Sequence, residues 1–226
     1  MEPRPDDIGP RLDRLAELIA GSVHNLVSRR DRDAVRSAHV SECLGVASLL
    51  SVAPGDAWLD LGTGGGLPGL VLAMVFPDSR WTLVDATRKK VDAVAEFARI
   101  LMLRNVTVRH GRAETLAHVP DLRERFEGVV SRAVAPLPTL LELSRGFVHQ
   151  GGVVAAVKGT TWQEEVRTAS RARELLRLGR PQTDVVTSAV RPTWLVSMRA
   201  TGPAPAAYPR RDGLPRTQPL GVAPRP

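Results

Sequence analysis

The sequence predicts an α/β fold: seven mostly parallel strands with helices on both faces and an N-terminal helical extension. Three observations predict it. Residues 56–85 run as a hydrophobic strand, a glycine turn, an apolar helix and a second strand ending in an acid. From Asp56 to about residue 200, apolar runs of strand length alternate with helical stripes. Strands such as Val153-Val-Ala-Ala-Val157 are apolar throughout, which suits a parallel sheet covered on both faces.

Residues 1–55 form the helical extension. Leu12, Leu15, Leu18 and Ile19 recur at helical spacing, as do Val40, Leu44, Ala47 and Leu50. Gly21-Ser22 and the charged run Ser28–Asp33 divide this region, and Pro54-Gly55 stops it. Residues 56–200 form the main domain, with strands expected at 56–61, 80–85, 105–110, 126–131, 152–157, 183–189 and 194–200. Helices are expected at 68–76, 87–103, 136–147 and 161–178, with a short irregular piece at 112–121. The 87–103 helix carries an apolar stripe of Val91, Val94, Ala95, Ala98, Leu101 and Met102, and the 161–178 helix sets Glu164, Glu165, Arg171 and Arg173 on exposed turns. Residues 201–226 hold seven prolines and four arginines, a composition that sustains neither helix nor central strand. They are expected to form an extended tail, in which Tyr208–Leu220 is the stretch able to dock.

Composition narrows the class. With 226 residues, 43% hydrophobic and 24% charged, the chain suits one soluble globular domain. The longest apolar run, Leu70–Phe76, is too short to cross a bilayer, and Met1–Asp7 lacks the basic and apolar parts of a secretory signal. Cys43 is alone, which excludes an internal disulfide and a cysteine-based zinc site. A cytoplasmic monomer without membrane association is the expectation. The net charge of +7 is concentrated late, since residues 160–226 hold 11 basic and 5 acidic groups. That asymmetry points to a polyanion such as RNA or DNA. Equally, 28 arginines against 3 lysines can reflect genome composition on an ordinary surface, and charge alone leaves both readings open.

The glycine turn carries the chemistry. Glycines let the backbone turn sharply and approach a ligand closely, and an acid closing the second strand can accept both ribose hydroxyls. Two nucleosides compete. Gly64-x-Gly66-x-x-Gly69 matches the dinucleotide fingerprint, with Asp85 sixteen residues beyond it. Asp60-x-Gly62-x-Gly64-x-Gly66 instead matches an acid followed by alternating glycines, the form used for S-adenosylmethionine. The second is favoured. Asp60 at the strand end can pair with the amine of a methionine moiety but would repel a pyrophosphate. No second nucleotide-binding half follows, and later strand ends offer no hydride-transfer acid.

Further strand ends extend the site. After the third strand, the amides of Ala113 or Glu114, or the Glu114 carboxylate, can meet an adenine edge; the bland alternative is an acid capping a short helix. Arg132 ends the fourth strand beside the position of the methyl group, and Lys158 ends the fifth. The five histidines (24, 39, 110, 118 and 149) show no ligand spacing, and a surface or capping role suits them.

Asp60–Gly69 (D-L-G-T-G-G-G-L-P-G), Val84-Asp85 with Lys89–Val91, Arg112–Glu114, Ser131–Ala133, Val157–Gly159 and Tyr208–Leu220 together resemble the bacterial 16S ribosomal RNA guanine-N7 methyltransferases, the glucose-inhibited division B family. The resemblance covers about residues 8–220. It implies a Rossmann-like class I methyltransferase fold, with S-adenosylmethionine as cofactor and 16S ribosomal RNA or the small ribosomal subunit as partner. It further implies cofactor contacts at Gly62, Leu67, Ala113, Glu114 and Arg132, with Gly64 in the same turn. Asp85 would hold the ribose, and Asp60 would lie near the methionine end. The family's Arg-His pair with a following acid and serine is replaced here by Ala38-His39 and Glu42-Cys43, so no role is transferred to that segment.

Guanine N7 has an in-plane lone pair and no proton, so its methylation needs no general base. Arg132 is therefore expected to position cofactor or base. Arg210, Arg211 and Arg216 are the expected phosphate contacts. A methyltransferase of this fold acting on a small molecule or protein is the alternative. A dehydrogenase comes next, and then an RNA-binding module without activity.

Overall fold

A computed structural model describes residues 8–24, 26 and 34–222. The start Met1–Asp7, the charged run Ser28–Asp33 and the last four residues lie outside the described residues.

Helix α1 (Ile8–Ala20) buries Leu12, Leu15, Ala16 and Ile19. A π-helical turn, Val35–Val40, runs directly into α2 (Ser41–Ala47). The buried face there is Val40, Cys43, Val46 and Ala47 rather than the predicted Leu44 and Leu50, because the wider turn rotates the stripe. The central sheet comprises β1 (Ala57–Leu61), β2 (Arg80–Asp85), β3 (Val106–His110), β4 (Phe126–Arg132), β5 (Val148–Lys158), β6 (Gln182–Val185) and β7 (Trp194–Arg199). Its order is β3-β2-β1-β4-β5-β7-β6. β1 to β5 pair in parallel, whereas β7 is antiparallel to both β5 and β6.

The remaining helices are α3 (Gly69–Val75), α4 (Arg88–Ile100), α5 (Ala113–Leu116), α6 (Leu137–Arg145), α7 (Trp162–Thr168), α8 (Ser170–Leu175) and α9 (Leu214–Thr217). The sheet separates two cores. On one face Trp58, Leu83 and Val130 meet the N-terminal helices, α3 and α4. On the other, Leu59, Leu61 and Val129 meet α6 and α8. The N-terminal extension thus shares its core with the domain. Among the described residues no helix is long and apolar enough to cross a membrane.

The expected architecture is present, with local corrections. β5 starts at Val148 because Gly151, at φ +90°, opens a bulge that lets Phe126 pair with Val148 and Gly128 with Val153. The expected 161–178 helix is two helices meeting at Ala169. There the Thr168 hydroxyl donates to the carbonyls of Glu164 and Glu165 and competes with the helical ladder. Glu165 is not on an exposed turn: its carboxylate accepts Lys158 Nζ at 2.7 Å and the Leu137 amide at 2.8 Å. In α4, Phe97 replaces Ala95 in the buried stripe, and Met102 leaves the helix at φ +53° with its side chain in solvent. β6 stops at Val185 because the chain turns back onto the N-terminal helices, where Ser188 Oγ donates to Ser41 O at 2.7 Å.

The tail docks through Tyr208–Leu220, the stretch expected to do so, and the correction there is that it forms a short helix, α9, where extended chain was expected. Arg145, fully buried, ties the tail's beginning down by donating to the carbonyls of Leu176, Val148 and Gly202.

Candidate active site

Strand order reverses between β1 and β4, and a doubly wound sheet leaves its ligand crevice at that point, beyond the carboxyl ends of the strands. Gly62 (φ +71°) and Gly66 (φ +91°) turn the chain out of β1 in a region closed to most side chains. Approach is also tight, since a Cβ at Gly62 would fall 2.6 Å from Val134 Cγ2, in the loop after β4. The amides of Gly62 and Thr63 both donate to Val84 O, so the turn is fastened to β2.

Asp85, at the end of β2, is built into the same turn. Its Oδ2 accepts the Gly64 amide at 3.0 Å and its Oδ1 the Thr87 amide at 2.8 Å. Asp60 lies beneath the turn and is fully buried. Its Oδ2 accepts the Gly69 amide at 2.9 Å, and Oδ1 has no hydrogen-bond partner among the described residues. Burial pushes its carboxyl up from 3.8 to about 6.

A cavity of about 350 Å³ opens over this turn, large enough for a nucleoside. Gly62, Asp85, Ala113 and Glu114 line it together with Arg216 from α9; Gly64, Leu67 and Arg132 do not. Gly64 supports the cavity through Asp85. Leu67 is buried in the core, its amide bonded to Thr63 O. The Glu114 carboxylate is already engaged, accepting Arg112 Nη2 at 2.7 Å and the Gly213 amide at 3.0 Å.

Arg132 leaves β4 on the face of the N-terminal helices. Its Nη1 lies 2.8 Å from Glu42 Oε2 and 3.1 Å from His39 Nδ1, and Glu42 Oε1 accepts Thr193 Oγ1 at 3.0 Å. Reading the sequence alone missed this cluster and placed His39 among surface histidines. The available signal was the family's His-and-acid pair upstream of the turn, which His39 and Glu42 retain. Cys43, beside them, is an inert thiol that burial pushes up to about 12.

Two other expectations change. Lys158 is not at the crevice: its ammonium donates to Ala135 O and Glu165 and so braces the loop after β4. Arg210 is committed first to the fold, because Glu142 accepts its Nε, Nη2 and backbone amide. Arg211 and Arg216 are exposed. Among the described residues no group of His, Cys, Asp and Glu could hold a metal ion.

The fold is that of class I methyltransferases. A geranyl diphosphate methyltransferase solved with geranyl diphosphate and sinefungin superposes with a TM-score of 0.60 at 14% identity, over 88% of this chain and 100% of that one. A fibrillarin from Aeropyrum pernix with bound S-adenosyl-L-methionine gives 0.53 at 17% identity, over 70% of this chain and 76% of that chain. In sequence, the ribosomal RNA small subunit methyltransferase G of Deinococcus deserti is 38% identical over 224 residues, covering 95% of this chain and 91% of that protein. Its counterpart in Sorangium cellulosum is 40% identical over 202 residues, covering 88% of this chain and 82% of that protein. The family described as rRNA small subunit methyltransferase G matches residues 11–191. Similarity of this extent, on a fold whose crevice carries the family's glycine turn, shows that the chain belongs to the rRNA small subunit methyltransferase G (GidB) family.

Proposed function

We propose that this chain transfers a methyl group from S-adenosylmethionine to N7 of a guanine in the 16S ribosomal RNA of the small subunit, acting as a cytoplasmic monomer. The observation that carries the reading is the cavity at the β1–β4 switch point, ringed by Gly62, Asp85 and the start of α5, in a chain of this family. Asp85 holds the ribose. The amides of Ala113 and Glu114 face the adenine edge, and because Arg112 and Gly213 both donate to Glu114 Oε1, Oε2 is the carboxylate oxygen left to join them. Asp60 Oδ1 and Ser131 Oγ, buried oxygens without partners among the described residues, suit the polar methionine end.

The cofactor supplies a methyl group already activated on a sulfonium. The chain must therefore align the base with that methyl group and hold its surroundings fixed while positive charge moves onto the guanine. Arg132, whose hold by Glu42 and His39 supports the role, is the residue we assign to that alignment, and Arg211 and Arg216 are the remaining candidates for phosphate contacts.

Labelled methyl transfer to small-subunit particles, followed by mass-spectrometric mapping of the modified base, tests this reading. Transfer to free nucleosides or a small molecule, with none to the particle, would favour the alternative substrate.

A pH dependence follows from Asp60. The methionine amine is a cation, and only the ionised carboxylate neutralises it. Because burial holds Asp60 near 6, affinity for S-adenosylhomocysteine is expected to rise between about pH 5 and pH 7. The Asp60→Asn variant should lose that rise. Calorimetric titrations at three pH values would show it, and an equal slope in both proteins would remove Asp60 from the cofactor site.

A further inference from the structure

We propose that the C-terminal strap, Tyr208–Leu220, is a wall of the cofactor pocket seated by two buried carboxylates, so that the cofactor binds only to the docked strap. The proposal rests on the cofactor reading above. It begins with Glu142, which α6 holds fully buried. A carboxylate there needs a partner, and Arg210 supplies the Nε, Nη2 and backbone donors at 2.8, 2.7 and 2.8 Å. Arg210 Nη2 also donates to Gln218 O at 2.7 Å, closing the strap on itself. One turn earlier on α6, Thr139 Oγ1 donates to Pro215 O at 2.9 Å.

The second carboxylate is Glu114, at the adenine end of the cavity. It accepts the amide of Gly213, whose φ of +81° turns the strap toward it. Next to it Asp212 reaches Arg112 at 3.4 Å and accepts Thr115 Oγ1 at 3.0 Å, so the strap is tied to the first turn of α5. From α9, Arg216 then lines the cavity and donates to Val134 O at 3.2 Å, in the loop that presses on Gly62. The strap thereby joins the adenine end, the glycine turn and the loop after β4.

These polar contacts are joined by the packed side chains of Tyr208, Pro209, Pro215 and Leu220, and much of the strap between them is exposed. Polar, partly exposed seating opens at lower free energy than a core element. Apparent cofactor affinity falls in proportion to the docked fraction.

The test uses the full chain and Asp212→Ala, whose side chain is half-exposed and outside the core. S-adenosylhomocysteine is titrated calorimetrically into both, thermal unfolding is recorded, and amide hydrogen exchange over residues 208–220 is followed with and without ligand. The expected result is unchanged unfolding, affinity about tenfold weaker in the variant, and slower exchange in the strap of the unaltered chain once ligand binds. Affinity within twofold of the unaltered chain, or strap exchange indifferent to ligand, overturns the proposal alone. Failure of the unaltered chain to bind overturns the cofactor reading and this proposal with it.

Discussion

Replacing Arg132 with alanine is expected to slow methyl transfer to the small subunit by on the order of a hundredfold, the cost of losing a fixed group that aligns the base with the methyl donor. The basis is geometric. Arg132 is mostly buried and its guanidinium is fixed between Glu42 and His39, while Thr193 fixes Glu42 in turn. A guanidinium held this way keeps its donors in one place, so what the variant loses is alignment of the base with the methyl group, since a cation does not favour positive charge arriving on guanine. Lysine should not substitute, since its ammonium is a single point donor on a flexible stem rather than a planar fork. Alanine also removes the charged partner of Glu42 and leaves it Thr193 among the described residues, for which a stability loss of about 1–3 kcal/mol is expected. Denaturant unfolding therefore accompanies the rate measurement. A fall in S-adenosylhomocysteine affinity would place Arg132 at the cofactor, whereas a fall in rate alone would place it at the base. Transfer within twofold of the unaltered chain would remove it from both.

Glu42 deserves the same measurement as a positioning residue. Gln at this position can keep its oxygen on Arg132 and turn its NH2 to Thr193 Oγ1, which then accepts while donating to Arg191 O, but it discards the charge, so a smaller rate loss, about tenfold, is expected. Apart from the family's His-and-acid pair, its partner was not legible in the sequence, for a physical reason. Glu42 and Arg132 are 90 residues apart, and neither helical spacing nor local composition encodes such a pairing. What seats the tail was obscured in the same way, although Tyr208–Leu220 was expected to be able to dock. Seven prolines and four arginines look like solvated chain, yet Glu142 is buried in the middle of α6 and draws Arg210 onto it. By contrast, the strands from β1 to β4, the glycine turn and Asp85 were all legible. Each rests on local chemistry: apolar runs that must be buried, glycines that adopt positive φ, and an acid at a strand end. The split of the 161–178 helix lies between these cases, because Thr168 could be seen but its back-bonding could not.

Asp85→Ala is expected to weaken S-adenosylhomocysteine binding by on the order of a hundredfold or more, because two hydrogen bonds to an ionised acceptor disappear together with part of the pocket itself. Each Asp85 oxygen accepts a backbone amide, from Gly64 and from Thr87, and each retains lone-pair capacity for a ribose hydroxyl. The residue thus shapes the turn and presents the ligand with acceptors in one rigid arrangement. Asparagine is the sharper variant. Whichever way its amide is placed, its NH2 group must face either the Gly64 or the Thr87 N–H, so one pair of donors collides and one ribose acceptor is lost. Asp85→Asn should therefore fall much nearer to alanine than to the unaltered chain. Glutamate retains both acceptors but extends the carboxylate by a methylene into the cavity and is expected to bind weakly as well. Calorimetry on the three variants, with thermal unfolding as the check on folding, reads these outcomes directly. Asparagine binding within twofold of the unaltered chain would mean that the ribose is held elsewhere and that Asp85 serves the turn alone.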